Sequence, residues 1–193
     1  GENQITVDVD NSAQKNSRWY SGSGIYRHVW LLNTGDVAVR PESVFVTTPQ
    51  VSEDASTVNL DLAVENRSPR AGDITVRATI LELRFAPKRL ALWSPDAPAL
   101  YEMQVELMEG DKVVDTFTQT FGVRSIAYSA EDGFRLNGKP LLLTGSCVHH
   151  DNGLLGARSY DAAEARKVRL LKQAGFNAVR TSHNIPSEAF LDE

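Results

Sequence analysis

Five segments between residues 37 and 124 alternate apolar and polar side chains, which is the period of a half-buried β-strand. Clusters of Asn, Asp, Gly, Ser and Pro separate these segments, as expected of turns. Short alternating strands at this spacing predict an immunoglobulin-like β-sandwich, a fold of about seven strands. The predicted strands cover residues 44–46, 58–64, 74–80, 101–107 and 114–121. Residues 81–92 are irregular and predict only a poor sixth strand.

Two further segments ahead of the sandwich also have a strand pattern. Residues 4–9 alternate through Ile5, Val7 and Val9. The second segment, 25–32, follows a glycine-rich stretch that permits a tight backbone. Because two strands cannot bury a core alone, we expect them to be the end of a β domain over residues 1–36.

The hydrophobic period changes after Phe134. The dipeptide Asn137-Gly138 is a strong signal for a β-hairpin. Residues 141–148 then form a continuous apolar run, which is typical of a strand buried on both faces. This part of the chain therefore predicts a hairpin followed by a core strand.

An amphipathic helix and another strand follow. Asp161 and Glu164 have the spacing of a capping box at the helix start, and Gly175 is placed to end the helix. One side of the helix carries Ala165, Val168, Leu171 and Ala174, and the other carries Arg166, Lys167, Arg169 and Lys172. With a strand over 176–180, the pattern predicts a right-handed βαβ unit.

Composition and charge argue against several classes of partner. Net charge is −5, and Lys and Arg are scattered among Asp and Glu, which argues against a nucleic-acid partner. No apolar run approaches the ~18 residues of a membrane span, so we expect no membrane partner. Cys147 is the only cysteine, which excludes an intrachain disulfide. The first residues lack the pattern of a signal peptide, and the compartment stays open.

Polar side chains cluster where the two strands of the βαβ unit end. His149, His150 and Asp151 follow the first strand, and the run from Arg180 to Asn184 closes the second. In barrels of parallel strands, chemistry is placed at these carboxyl ends. The pattern therefore predicts a site at this edge.

Two chemistries at this edge are disfavoured by the sequence. His149, His150, Asp151 and His183 are metal-ligand types, but consecutive histidines on a strand point to opposite faces. We therefore predict no metal site. Cys147 shares a face with His149, as a thiol nucleophile would require. Its place in an apolar run instead predicts a buried, inert thiol.

Five motifs, in order along the chain, give a more specific indication. They are WYSGSGIYR (19–27), LWSPDAPALY (92–101), FGVR (121–124), GSCVHHD (145–151) and NAVRTSHNIP (177–186). Together they resemble glycoside hydrolase family 2, particularly its bacterial β-galactosidases, with Asn184 where the family commonly has Tyr. The resemblance implies a multidomain β plus α/β fold. Its parts are the end of a jelly-roll sugar-binding domain (1–36), an immunoglobulin-like β-sandwich (37–124) and the first βαβ unit of a TIM (β/α)8 barrel (125–193).

The resemblance also implies a reaction, the retaining hydrolysis of β-galactosides by two glutamates. Both glutamates, the acid/base and the nucleophile, are expected beyond Glu193, so the chain alone is expected to be inactive. Arg180 is expected to steady the nucleophile carboxylate. The residues expected to contact the sugar are His149, His183, Asp151, Asn184, Arg18 and Trp19. For Arg18 and Trp19 a plain packing role is an equal alternative, and His150 is expected to be an ordinary, satisfied histidine.

Other properties follow from the same resemblance. The partner is a β-linked oligosaccharide or glycoside whose glycone (galactose, glucuronic acid or mannose) the sequence leaves open. No cofactor is required, although the complete enzyme is compatible with a structural or site-modulating Mg or Na ion and with a homo-oligomeric assembly. The alternative function is a non-catalytic carbohydrate-binding or structural β-sandwich module.

Overall fold

The structure, a computed structural model, describes residues 3–13, 15, 22–52, 55–70, 72–82 and 90–193. It divides into two compact units. The sandwich unit is Leu32–Leu142, and the α/β unit combines Gly1–Leu31 with Leu143–Glu193. The domain limits 1–36, 37–124 and 125–193 stay a prediction. Within the described ranges, every helix is too short or too polar to span a bilayer.

The sandwich unit contains a strand at each of the five predicted positions and two additional short strands, one of which begins at Val64, the last residue of the predicted segment 58–64. The strands are β1 (Val37–Val39), β2 (Phe45–Val51), β3 (Ser56–Asp61), β4 (Val64–Asn66), β5 (Thr75–Glu82), β6 (Tyr101–Glu109) and β7 (Lys112–Phe121). They form antiparallel sheets β1-β4, β2-β3 and β5-β6-β7. With three residues each, β1 and β4 are too short to show alternation. The irregular stretch 81–92 gives only the end of β5, and residues 83–89 lie outside the described ranges.

The core of the sandwich lies between two of these sheets. On β6 the side chains of Tyr101, Met103, Val105 and Leu107 are buried, whereas those between them are partly exposed. From the opposing β2-β3 sheet, partly buried side chains pack against the buried cluster of Tyr101, Met103, Val105, Phe121 and Val123, namely Val46, Val51, Val58 and Leu60. Strict alternation on β6 therefore places one face in a core shared by two sheets, which confirms the predicted sandwich.

The hairpin predicted at Asn137-Gly138 is confirmed. Strands β8 (Ile126–Ser129), β9 (Gly133–Leu136) and β10 (Lys139–Pro140) form one antiparallel sheet. Asn137 and Gly138 connect β9 to β10 with φ angles of 51° and 73°, as a two-residue I′ turn requires. The Asn137 amide also donates to the Trp93 carbonyl (3.0 Å) and accepts from the Ser125 backbone N–H (3.0 Å).

The α/β unit contains the predicted strand–helix–strand arrangement. Its elements are β11 (Gly145–Val148), a 3-10 turn (Gly153–Leu155), α1 (Asp161–Gln173), β12 (Ala178–Thr181) and α2 (Glu188–Asp192). β11 and β12 pair in parallel, with Gly145 opposite Ala178. A Cβ atom at position 145 would overlap the carbonyl of Ala178, so the close approach of the two strands requires glycine there.

The two ends of α1 differ from each other in how well the sequence predicted them. Gly175 (φ 88°) ends the helix in a Schellman motif, with Phe176 N–H bound to the Leu171 carbonyl (3.1 Å). The capping box is wrong: Tyr160 is the N-cap residue and makes no side-chain cap. Asp161 instead pairs with His28, and Glu164 is buried. Both acidic side chains are thus held by tertiary contacts.

Three strand predictions need correction. Residues 4–9 and 25–32 are not in strands, and Ile5 (87%) and Val29 (74%) are strongly exposed. Alternation marks a segment that suits a sheet, but a strand also needs a ladder partner, and the described residues offer none there. The run 141–148 forms a strand only over Gly145–Val148, and most of it is exposed. Among the described residues β11 pairs with β12 alone, and burial on both faces requires layers on both.

Candidate functional site

His149 and His183, predicted to share an edge, are brought together at the ends of β11 and β12. The Ser182 N–H donates to the Val148 carbonyl (2.9 Å), so the parallel pairing continues up to both histidines. Their ring centroids are 6.1 Å apart and the rings are nearly perpendicular, at 72°. His183 has a left-handed backbone (φ 63°), which turns the chain just after the strand. Adjacent parallel strands thus bring two imidazoles from distant sequence positions side by side.

The next histidine, His150, faces different neighbours. Its Nδ1 lies 3.1 Å from Oδ1 of Asn184, and its ring centroid lies 5.5 Å from that of Tyr26. His150 is therefore the half-buried, hydrogen-bonded side chain that was predicted. Both His149 and His150 lie beyond the end of β11, so the prediction that they point to opposite faces stays a prediction. Asn184, expected to contact sugar, here bonds with His150. In the described part of the chain no group of three or more His, Cys, Asp or Glu side chains is arranged to hold a metal ion.

Cys147 and Arg180 lie opposite each other in the parallel register. The Arg180 Nη1 is 3.7 Å from the Cys147 Sγ. A hydrogen bond from Ser182, followed by the contact with Arg180, lowers the pKa of the Cys147 thiol from its ordinary value. The prediction of a buried, inert thiol is wrong, because Cys147 is exposed. An apolar run on one strand does not bury a side chain whose face has no covering layer.

The remaining predicted site residues are placed as follows. Arg180 is exposed and Asp151 is half-buried at the start of the loop after β11. Arg18 and Trp19 lie outside the described residues. The roles of Arg180 toward a carboxylate, and of the other predicted residues toward a sugar, stay predictions.

A groove of about 690 Å³ opens beside the histidine edge. Its lining includes Asp10, Asn11, Tyr26, His150, Arg158 and His183. Small-molecule sites commonly have volumes of roughly 300–1,000 Å³, with a few convergent polar groups. Imidazoles, an amide, a carboxylate and a phenol ring together suit a polyhydroxylated ligand. His149 lines a smaller neighbouring cavity of about 20 Å³ with His150 and Glu164.

The segment from Tyr26 to His28 is tied to both strand-end loops. The Tyr26 carbonyl accepts from Ser159 N–H (3.0 Å), and Arg27 Nη1 donates to the Ile185 carbonyl (2.6 Å). His28 Nε2 lies 2.9 Å from the Asp161 carboxylate. None of these side chains was predicted to have a role, although Tyr26 and Arg27 belong to the motif at 19–27. Their contacts fix one wall of the groove.

Like Cys147, Glu164 has a role that differs from the one predicted, because it is not part of a capping box. It is only 2% exposed, and its carboxylate contacts Asn152, Lys167 and Ser187. The sequence does carry a signal for this position. Glu164 precedes Val168 and Leu171 by four and seven residues, so an acidic side chain sits on the apolar stripe of α1. An acid on such a stripe indicates a buried polar contact more directly than a cap.

Comparison with known proteins identifies related sequences over nearly the whole chain. The family model described as glycosyl hydrolases family 2 matches residues 82–124, and that described as glycosyl hydrolases family 2, TIM barrel domain, matches residues 129–192. Together the two segments take in more than half of the chain.

Individual relatives agree with the family models. Beta-galactosidase BoGH2A of Bacteroides ovatus is 35% identical over 214 residues, covering 98% of this chain and 25% of the relative. A beta-glucuronidase of Bacteroides fragilis is 27% identical over 218 residues, covering 94% of this chain and 31% of the relative. A solved glycosyl hydrolase family 2 member from Bacteroides cellulosilyticus superposes with a TM-score of 0.86 at 40% identity, covering 93% of this chain and 28% of that one. The chain thus spans about a quarter to a third of the length of these proteins.

Proposed function

Because the chain belongs to glycosyl hydrolase family 2, with a β-sandwich and the first strands of the TIM-barrel domain, we propose that it forms the sugar-holding wall of a retaining glycosidase acting on β-galactosides. One observation carries the proposal. His149 and His183 lie 6.1 Å apart at the carboxyl ends of adjacent parallel strands. This is the edge where barrel enzymes place their substrates.

The histidine pair suits a sugar because each imidazole offers a donor or an acceptor to a hydroxyl group. The strand register and the turn at His183 fix the two rings before a ligand arrives. Groups held in place in advance can stabilise charge that develops at the anomeric carbon without reorganising. Asp151, at the start of the neighbouring loop, is proposed as a further hydroxyl acceptor.

Arg180 is proposed to orient the nucleophile carboxylate of the complete enzyme. Support comes from the thiol beside it: the guanidinium lies 3.7 Å from the Cys147 sulfur and, after Ser182, contributes to lowering the pKa of that thiol, so its position favours an anion there. A carboxylate at a similar distance would form a stronger, charge-assisted contact.

Hydrolysis itself needs two carboxylates on opposite sides of the glycosidic bond. The strand-end segments 149–151 and 181–186 contain only one, Asp151. We therefore propose that this polypeptide binds the sugar without hydrolysing it. Incubation with a chromogenic β-galactoside should release no chromophore above a buffer blank. Turnover that scales with protein concentration would contradict the proposal.

We propose galactose over glucuronate as the preferred glycone, although relatives carry both enzyme names. The groove contains the carboxylate of Asp10, and hydrogen bonds from Ser12 lower its pKa, so it stays ionised and repels a uronate. Arg158 in the same lining donates to the Tyr160 hydroxyl (2.9 Å) and keeps its positive charge, so the proposed preference requires Asp10 to lie nearer the glycone than Arg158 does. Paired titrations should saturate with galactose at a lower concentration than with glucuronate. Saturation with glucuronate at the lower concentration would assign the site to glucuronides. Asp10→Asn should bring the two saturating concentrations closer together.

A further inference from the structure

A buried ionic network lies behind the histidine edge, and its centre is Glu164 on α1. The side chain of Glu164 is 3% exposed and that of Lys167 is 17% exposed, with 3.4 Å between Nζ and Oε1. A buried carboxylate costs folding free energy unless it is paired and hydrogen-bonded. The Glu164 carboxylate meets that requirement with three partners, namely Asn152, Lys167 and Ser187.

These partners belong to different segments of the α/β unit. Asn152 lies in the loop after β11, three residues beyond His149, and its amide donates to Oε1 of Glu164. Ser187 lies after β12, four residues beyond His183, and its hydroxyl donates to Oε2 (3.3 Å). One carboxylate therefore joins α1 to both of the loops that carry the site histidines.

Lys167 adds a direct connection to the site. Its Nζ donates to the backbone carbonyl of His149 (3.2 Å) while it is paired with Glu164. Ser187 also caps α2, because its hydroxyl accepts from Phe190 N–H (3.2 Å). The backbone on both sides of the histidine pair is thus held by groups that converge on Glu164.

We propose that Glu164 is a positioning residue that sets the separation of His149 and His183. It acts through the two loops that carry these histidines. A residue that only stabilised the fold would change the unfolding temperature and leave the native histidine geometry intact. The geometry of the two histidines in the folded protein therefore distinguishes a positioning role from a purely stabilising one.

The test uses the 193-residue chain with labelled histidine, and it reads the nuclear Overhauser contact between the two imidazole rings. Glu164→Gln keeps the size of the side chain but removes the charge that holds Lys167. We expect this variant to keep helix α1 and to lose the contact between His149 and His183. Glu188→Gln, the same change at an exposed position beside Ser187, is the matched control and should keep the contact.

Galactose titration supplies a second readout, which rests on the proposed function. If misplacing the histidines costs the net contribution of about one hydrogen bond to the ligand, Glu164→Gln should bind galactose roughly fivefold more weakly. If the unaltered chain binds no galactose, the proposed function fails, while the ring contact still decides the role of Glu164.

The proposal is overturned if Glu164→Gln lowers the unfolding temperature but retains the ring contact. If this variant does not fold, Asn152→Ala replaces it, since it removes one donor and leaves the Glu164–Lys167 pair in place. A weakened ring contact in Asn152→Ala would support the proposal, and an unchanged contact would overturn it.

Discussion

The two units of the molecule bury opposite kinds of side chain. Among the described residues, the buried hydrophobic side chains of the sandwich unit include Val105 and Leu107, both fully inaccessible. In the α/β unit the buried residues are Ser159, Glu164 and Ser182, with Phe190 as the one buried hydrophobic residue in its described part. The sandwich is thus stabilised by apolar burial between sheets, whereas the strand-end region is shaped by polar contacts.

This difference separates stability from function within one chain. An apolar core tolerates exchange between side chains of similar volume, because burial is non-directional. A polar network fixes directions and distances, because each donor needs its own acceptor. We therefore expect changes in the sandwich to alter stability, and changes in the α/β unit to alter the geometry of the histidine pair.

The largest expected effect is in the sandwich core. Leu107→Ala should lower the free energy of unfolding by about 3 kcal/mol, because it leaves a cavity at a fully buried position of β6. Leu81→Ala on the paired strand β5 is the control; Leu81 is 42% exposed and its replacement should cost less than about 1 kcal/mol. Denaturant titration followed by circular dichroism measures both. Equal losses of unfolding free energy in the two variants would show that burial on β6 does not determine the stability of the sandwich.

The next effect concerns the parallel pair in the α/β unit. Gly145→Ala should cost about 2 kcal/mol or more, because its Cβ would meet the carbonyl of Ala178. Hydrogen exchange at the amides of β12 should speed up accordingly. Ser146→Ala, at the next and exposed position, should leave exchange unchanged. Unaltered protection in Gly145→Ala would mean that the strands are not packed as closely as described.

A smaller effect is expected from a polar contact inside the sandwich. The Tyr101 hydroxyl accepts from Ala91 N–H (2.9 Å) and donates to the Ala91 carbonyl (3.3 Å). Tyr101→Phe keeps the ring in the core and should cost about 1 kcal/mol. A loss as large as that of Leu107→Ala would show that the sandwich, too, depends on polar contacts, and would weaken the contrast between the units.

The smallest effect is a shift in reactivity. Because Ser182 and Arg180 lower the pKa of Cys147, its thiolate should form at lower pH than that of an ordinary thiol. Alkylation by iodoacetamide should therefore begin at lower pH. Ser182→Ala removes the largest contribution, raises the pKa and moves the profile to higher pH. Ser146→Ala is the control, and a profile that moves equally in both variants would contradict the assignment.

The sequence predicted those features that depend on local pattern. Alternation located the five long strands of the sandwich, and Asn137-Gly138 and Gly175 marked a turn and a helix end through their backbone preferences. The motif order led to the correct family. The histidine pair was predictable because His149 follows β11 directly and His183 lies two residues after the end of β12.

Features that depend on tertiary partners were not predictable in this way. Glu164 matched a capping box by spacing, but its partners Asn152 and Ser187 lie 12 and 23 residues away along the chain. Cys147 was assigned to a core from its apolar neighbours, yet no described layer covers its face. Residues 4–9 alternate, but the described part of the chain gives them no partner strand. In each case the missing information was what packs against the segment.

The central claim, that His149 and His183 hold a sugar, is tested most directly by titrating the histidine-labelled chain with galactose and following the imidazole resonances. We predict saturable shifts at both histidines that His183→Ala abolishes, with His28 unaffected. Saturation with shifts confined to other residues, or no shift at either histidine, would contradict the account.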